Sequence, residues 1–336
     1  MSRAEPNVVV AHWGGLEFFT PEHFDLIDTV GTVLDREAIG SWDDPRCDGL
    51  LARADVLLGH WGCPPITTAV LDRAPQVGLF AYAAGTVKDT VDPGVFDREI
   101  RVTSGALANA EPVAEFALAA ILFANKDVFW RRDRMRDESL SGFRQHSAVP
   151  NGNWDKTVGI IGASMVGRRT IELLGAFRSL KVVLFDPFVD DAEAVRLGVT
   201  KVDLDELCAS ADVVSIHAPD LPSTRGMVGR PELAAMRTGA TLINTARGRL
   251  LDHDALVDEL TVGRLYAILD VTDPEPLPHG HPLFSLPNAY LTPHLAGSEG
   301  TELGRMTEYV VDEIRRWSGG EPARNEVTRE ALARLA

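Results

Sequence analysis

The sequence predicts an α/β protein made of two doubly wound parallel-sheet lobes with a cleft between them. Three observations predict it. Short β-branched runs alternate with amphipathic helical stretches, the runs fall into two series, and a strand, glycine turn and helix start lie in succession within the second. The chain has 336 residues, more than one ordinary core needs and enough for two.

The first series lies at residues 8–11, 56–59, 77–81 and 101–103. The second lies at 158–161, 182–185, 213–216, 241–244, 267–269 and 290–291. Continuous apolar runs of this kind suit strands buried on both faces of a parallel sheet. Between the series, Asn109-Ala-Glu-Pro-Val-Ala-Glu opens a long helix, with Asn109 or Glu111 as its cap and Pro112 in its first turn. Residues 141–153, rich in Gly, Ser, Asn and Pro, read as a loop. A helical stretch at 303–317 returns the chain to the first lobe, and the composition after Ser318 reads as disordered. The expected domains are 1–106 with 299–336 for substrate, and 107–298 for the dinucleotide.

Composition narrows the function classes. The chain is 45% hydrophobic and 24% charged, as in soluble globular proteins. A formal net charge of -16 repels nucleic acid and anionic membrane surfaces. The start lacks the apolar core of a signal peptide, and the longest apolar stretch, 116–124, reads as too short to span a bilayer. Cys47, Cys63 and Cys208 are odd in number, far apart and without metal-ligand spacing. The expectation is a cytoplasmic protein with no metal.

The motif Val158-Gly-Ile-Ile-Gly162-Ala-Ser164-Met-Val-Gly167 is a strand, a tight turn and a helix start. Gly162 permits the turn, Gly167 permits close helix–sheet packing, and the helix N-terminus suits a pyrophosphate. Ser164 replaces the middle glycine, which weakens the fingerprint taken alone. Asp186 ends the next strand, where a carboxylate binds ribose hydroxyls and repels a 2′-phosphate, so NAD is favoured over NADP. The bland alternative for Asp186 is a turn cap.

Three loops at strand ends in the second lobe hold the reactive groups: 244–252 with Arg247, 270–276 with Asp270 and Glu275, and 291–298 with His294. Ligands of open α/β sheets bind beyond the carboxyl ends of strands. Hydride transfer to a ketone builds negative charge on oxygen, which calls for a general acid such as His294. A carboxylate such as Glu275 fixes the imidazole tautomer, with Asp273 as competitor if the loop register differs. A guanidinium such as Arg247 clamps a substrate carboxylate bidentately, or pairs structurally with Asp252 or Asp270. His279 and His281 read as solvent residues.

On these residues the sequence resembles the D-isomer-specific 2-hydroxyacid dehydrogenase family, over most of 70–315. The resemblance implies a flavodoxin-like substrate lobe, a Rossmann lobe for NAD, a homodimer, and a small anionic 2-hydroxy or 2-oxo acid as substrate. It implies that Arg247, Glu275 and His294 are catalytic, with Arg247 and His294 also beside the cofactor. It places Asp270 near the nicotinamide carboxamide, and Met165 and Val166 at the pyrophosphate beside Gly162, Ser164 and Gly167. His217, Pro219, Thr245, Ala246 and Gly297 would line the cofactor. In the first lobe, backbone N–H groups at Ala84, Gly85 and Thr86 would hold the substrate carboxylate. Lys88 adds positive charge there or points to solvent, and Trp61 shapes the acyl pocket or simply packs. Glu275 argues against formate, because the formate branch carries an amide at that place. A protein that kept the fold as an NAD-responsive binding module is the alternative function.

Overall fold

The computed structural model describes residues 5–12, 18–37, 39–137 and 151–332. The backbone divides into two compact units, Met1–Ala110 with Ser298–Leu335, and Glu111–Gly297. The predicted loop at 141–153 lies largely outside the described residues.

The first unit holds a five-stranded parallel sheet of β1 (Asn7–Ala11), β2 (Thr32–Val33), β3 (Val56–Gly59), β4 (Leu79–Tyr82) and β5 (Arg101–Ser104). Their order is β2-β1-β3-β4-β5. Every residue of β3 and β4 is buried, so these runs are apolar throughout instead of alternating. The helix Leu303–Gly319 packs on this sheet through Met306, Val310, Ile314 and Trp317, whose i, i+4, i+8, i+11 spacing makes one stripe.

The second unit holds a seven-stranded parallel sheet: β6 (Lys156–Ile161), β7 (Leu180–Phe185), β8 (Thr200–Lys201), β9 (Val213–Ile216), β10 (Thr241–Asn244), β11 (Tyr266–Leu269) and β12 (Ala289–Leu291). The order is β12-β11-β10-β9-β6-β7-β8. The chain reverses its winding between β6 and β9, with Val158 paired to Val182 on one side and Val213 on the other. That switch point is where such sheets bind ligands. Leu207, Leu242, Leu256 and Leu269 sit in the core on one face, and Val158, Ile171, Leu184 and Ile268 in the core on the other. Burying one such leucine contributes about 2 kcal/mol.

Three expectations need correction. The long helix runs Ala106–Asn125, three residues earlier than Asn109. Ser104 Oγ accepts the Ala106 N–H (3.1 Å) at its start, so neither Asn109 nor Glu111 caps it, and Pro112 lies inside. Pro112 therefore removes one helical hydrogen bond, a loss the flanking Ala-rich turns tolerate. At 20 residues this helix is also long and apolar enough to cross a membrane by length and composition, unlike the shorter run read from sequence; Ala114, Ala117 and Ile121 are buried within the protein. Finally, residues 319–332, in the stretch read as disordered, are ordered. Val327 N–H donates to Val102 O (2.8 Å), and Val327 and Leu332 are buried.

Candidate active site

The glycine turn shows why its residues are what they are. Gly162 has φ of 95°, a left-handed conformation that favours glycine. A Cβ there would lie 2.7 Å from Ala218 N, so the end of β6 and the His217-Ala218 segment after β9 touch backbone to backbone. A Cβ on Gly167 would lie 2.0 Å from Gly162 O. Ser164 is the N-cap of the helix Met165–Leu174, and its Oγ accepts the Gly167 N–H at 3.3 Å. The serine thus adds a cap where a glycine would only clear space. Met165 and Val166 form the first turn, with the positive end of the helix beside them.

Asp186 is anchored on this turn. Its carboxylate accepts the Ala163 N–H at 2.7 Å and the Phe188 N–H at 2.7 Å. A carboxylate has roughly four acceptor sites, so two remain for ribose hydroxyls. His217 is buried, shares a hydrogen bond with Ser215 Oγ at 2.9 Å, and is held neutral because burial pushes its pKa down to about 4. Pro219 follows, half-buried. Two buried polar atoms of this region, His217 Nδ1 and Thr245 Oγ1, have no partner among the described residues. Buried polar groups are rarely left so. A dinucleotide fits these residues: a Cβ-free turn for its phosphates, an acidic strand end for its ribose, and two orphaned polar atoms for its remaining groups.

Arg247 lies in the loop after β10. Asn244, at the strand end, shapes that loop: its Oδ1 accepts the Ala246 N–H at 3.0 Å and its Nδ2 donates to Arg247 O at 2.9 Å. Asn244 was not singled out in the sequence, although an Asn at the end of a strand is a known turn former. Gly248 is buried, and a Cβ on it would lie 2.0 Å from Thr272 C and 2.5 Å from Asp273 N. The Arg247 loop and the Glu275 loop therefore press together at their backbones. The Arg247 guanidinium is half-buried and donates to Ala246 O at 2.6 Å. Of its suggested carboxylate partners, Asp252 caps the helix His253–Thr261.

Asp270, 2% exposed, braces the loop that carries His294. It accepts Thr292 Oγ1–H at 2.6 Å, Leu295 N–H at 2.9 Å and Ala296 N–H at 3.0 Å, while its backbone O accepts the His294 N–H at 3.0 Å. Thr292 is a second residue that the sequence did not single out. His294 itself has φ of 55°, uncommon for a residue with a side chain. Its Nδ1 meets Glu275 Oε1 at 2.7 Å. An ionised carboxylate only accepts, so Nδ1 carries the proton and Nε2 is the free-facing nitrogen. The side chains are 50% and 41% exposed, so the pair does little for stability but is open to a ligand. Asp273 faces Arg249 at 3.8 Å, leaving Glu275 as the carboxylate on the histidine. His281 accepts the Leu283 N–H and starts a short turn, while His279 is exposed. Gly297 closes this loop at the end of the second unit.

In the first unit, Ala83 and Ala84 are buried at the end of β4, and Gly85 and Thr86 are half-buried. Among the described residues the Gly85 and Thr86 N–H groups meet no acceptor. The Lys88 N–H donates to Thr86 Oγ1 at 3.2 Å, and Lys88 is half-buried. Trp61 is half-buried in an aromatic cluster, its ring 4.8 Å from His60 and 6.0 Å from Phe18. Burial pushes the Cys63 thiol up, which disfavours the thiolate form.

Residues 118–296 match the family model for the D-isomer specific 2-hydroxyacid dehydrogenase NAD binding domain. The chain is 33% identical over 298 residues to the D-3-phosphoglycerate dehydrogenase of Mycobacterium tuberculosis strain H37Rv, covering 87% of this chain and 55% of that protein. It thus spans about half the length of such relatives. It is 31% identical over 276 residues to the glyoxylate reductase of Korarchaeum cryptofilum, covering 80% and 81%. Among solved structures, the TT0316 protein from Thermus thermophilus is similar at 32% identity, with a TM-score of 0.72 and coverage of 96% and 100%.

Proposed function

The chain belongs to the D-isomer-specific 2-hydroxyacid dehydrogenase family, and on that premise we propose that it transfers hydride between NAD and C2 of a small 2-hydroxy or 2-oxo acid. One observation carries the reading: the His294 imidazole is held by Glu275 at 2.7 Å, on a loop braced by Asp270, at the carboxyl end of the NAD-binding sheet. When bound, NAD supplies or accepts the hydride. In reduction, protonated His294 donates its Nε2 proton to the developing alkoxide; in oxidation, neutral His294 removes the hydroxyl proton. Glu275 fixes the tautomer that leaves Nε2 reactive, and the Arg247 guanidinium pairs with the substrate carboxylate. In the first unit, the N–H groups of the Ala84-Gly85-Thr86 loop suit a carboxylate, and Lys88 and Trp61 set what else the loop accepts. Asp186 disfavours a 2′-phosphate, and Glu275 disfavours formate.

The same reading places the enzyme in the cytoplasm, where its free cysteines stay reduced, and makes it a homodimer. The helix Ala106–Asn125 and its continuation expose Leu107, Phe123 and Val128, an apolar set that a second copy would cover. A monomer mass by sedimentation would count against this partner. The activity is tested by NADH oxidation with glyoxylate, hydroxypyruvate, 3-phosphohydroxypyruvate and larger 2-oxo acids. We expect turnover on at least one, with NADPH a poorer donor. NADH binding with no turnover across the panel would favour a binding module instead.

A further inference from the structure

We infer that Asn325, far along the chain from the Ala84–Thr86 loop, is a positioning residue for that substrate-carboxylate loop, acting through Ser104. This rests on the reading that the Ala84–Thr86 loop holds that carboxylate.

Ser104 is the last residue of β5 and 1% exposed. Its hydroxyl donates to Gly85 O and accepts the Ala106 N–H at 3.1 Å. One side chain thus ties the Gly85 peptide to the start of the long helix. Gly105 lets the two segments approach: its N–H donates to Tyr82 O at 2.8 Å, and a Cβ on it would press on Ala84 O at 3.2 Å and Tyr82 O at 3.3 Å. The carbonyl of Gly85 is therefore fixed by Ser104, and because the peptide is planar this fixes the direction of the N–H in the same unit, which belongs to Thr86.

What fixes Ser104 is the segment after the last long helix. Ser104 N–H donates to Asn325 O at 3.3 Å, and Asn325 Nδ2 donates to Ser104 O at 2.9 Å, so both backbone groups of Ser104 are held by one residue. The segment lies against β5 as an antiparallel neighbour, with Thr103 bridged to Glu326 and Val327 N–H on Val102 O. Its own position is set by Glu313, 1% exposed, whose Oε1 accepts the N–H groups of Arg324 at 3.0 Å and Asn325 at 3.1 Å. A buried carboxylate held by backbone N–H groups is a strong anchor. The order of support runs Glu313, Asn325, Ser104, Gly85.

The test compares Asn325→Ala, Asn325→Asp, Ser104→Ala and the double variant Ser104→Ala/Asn325→Ala in the full chain. Asn325→Asp keeps the shape but sets a charged acceptor against Ser104 O in place of the donor, so it should be at least as damaging as Asn325→Ala. Each single variant should raise KM for the turned-over 2-oxo acid by roughly two- to tenfold, the size of one hydrogen bond, with kcat and NADH affinity little changed. The double variant should be no worse than the poorer single, because both break one path. Hydrogen exchange of the 83–88 amides should quicken by a similar factor in all four variants. A lowered Tm with KM and exchange at wild-type values would leave Asn325 merely structural and overturn the inference, as would additive losses in the double variant. If exchange quickens but KM stays, the loop does not hold the carboxylate. If wild type turns over nothing, the substrate reading has failed, and the exchange data alone still decide whether the support path exists.

Discussion

His60 and His294 both follow a strand at the carboxyl end of a parallel sheet, yet their surroundings are opposite in burial and in partners. His60, after β3, is fully buried among rings, stacked on Phe18 at 4.1 Å and edge-on to Phe19 at 5.5 Å. Burial pushes its pKa down to about 3, so it stays neutral, accepting the Trp61 N–H at 2.8 Å. His294, after β12, is half exposed and meets a carboxylate. Strand-end position alone therefore does not make a histidine reactive. The proposed acid/base role calls for a carboxylate partner and access to ligand, and of the two only His294 has both.

The largest expected effect tests the exposed member, the proposed acid/base. His294→Ala should lower kcat by about 10²–10⁴-fold, the usual worth of a positioned acid/base, while NADH affinity changes little. Glu275→Gln, which keeps an acceptor but not the charge, should cost a smaller factor, roughly tenfold, in the same assay. Equal loss of turnover and NADH affinity in either variant would mean that the pair shapes the cofactor site and does no proton transfer.

The smaller effect tests the inert member through pH. A histidine whose folded pKa lies at about 3 against 6.5 in the unfolded chain takes up its proton preferentially when unfolded. Its neutral form thus lends stability above pH 6.5 that is lost progressively as pH falls toward 3. For one such group the loss between about pH 7.5 and about pH 5 is roughly 2 kcal/mol. His60→Phe keeps a ring, costs about 1 kcal/mol near neutrality because Trp61 N–H loses its acceptor, and should be spared the acid loss. Urea unfolding at both pH values should show the gap between variant and wild type shrinking or reversing in acid. A constant gap would show that His60 titrates normally, and the contrast with His294 would fail.

Much of this was readable in the chain itself. The run Val56–Gly59 is apolar throughout and Val213–Ile216 is apolar but for Ser215, and each became a buried strand with those same limits. The glycine turn was legible because Gly162 and Gly167 answer steric demands that only their residue type meets. Other features left no local trace. The start of the helix at Ala106 depends on a serine hydroxyl that turns back to it, and Ala-Leu-Ala-Asn-Ala carries no stop or start signal of its own. The ordered segment after Ser318 has loop-like composition because its order comes from backbone pairing with β5 and from Glu313, not from a periodic apolar face. Asp270 stood out in the sequence as an acid at a strand end, but its three hydrogen bonds to the histidine loop span more than 20 residues, beyond any motif.

The contact at Gly248 sets a rule for anyone redesigning this protein. With no room for even one methyl group between that glycine and the Thr272–Asp273 peptide, the guanidinium-bearing and carboxylate-bearing turns are geared to each other. A library that varies one turn while freezing the other would be sampling half of a single moving part, so useful changes in anion selectivity should emerge as paired substitutions across 247–250 and 272–276.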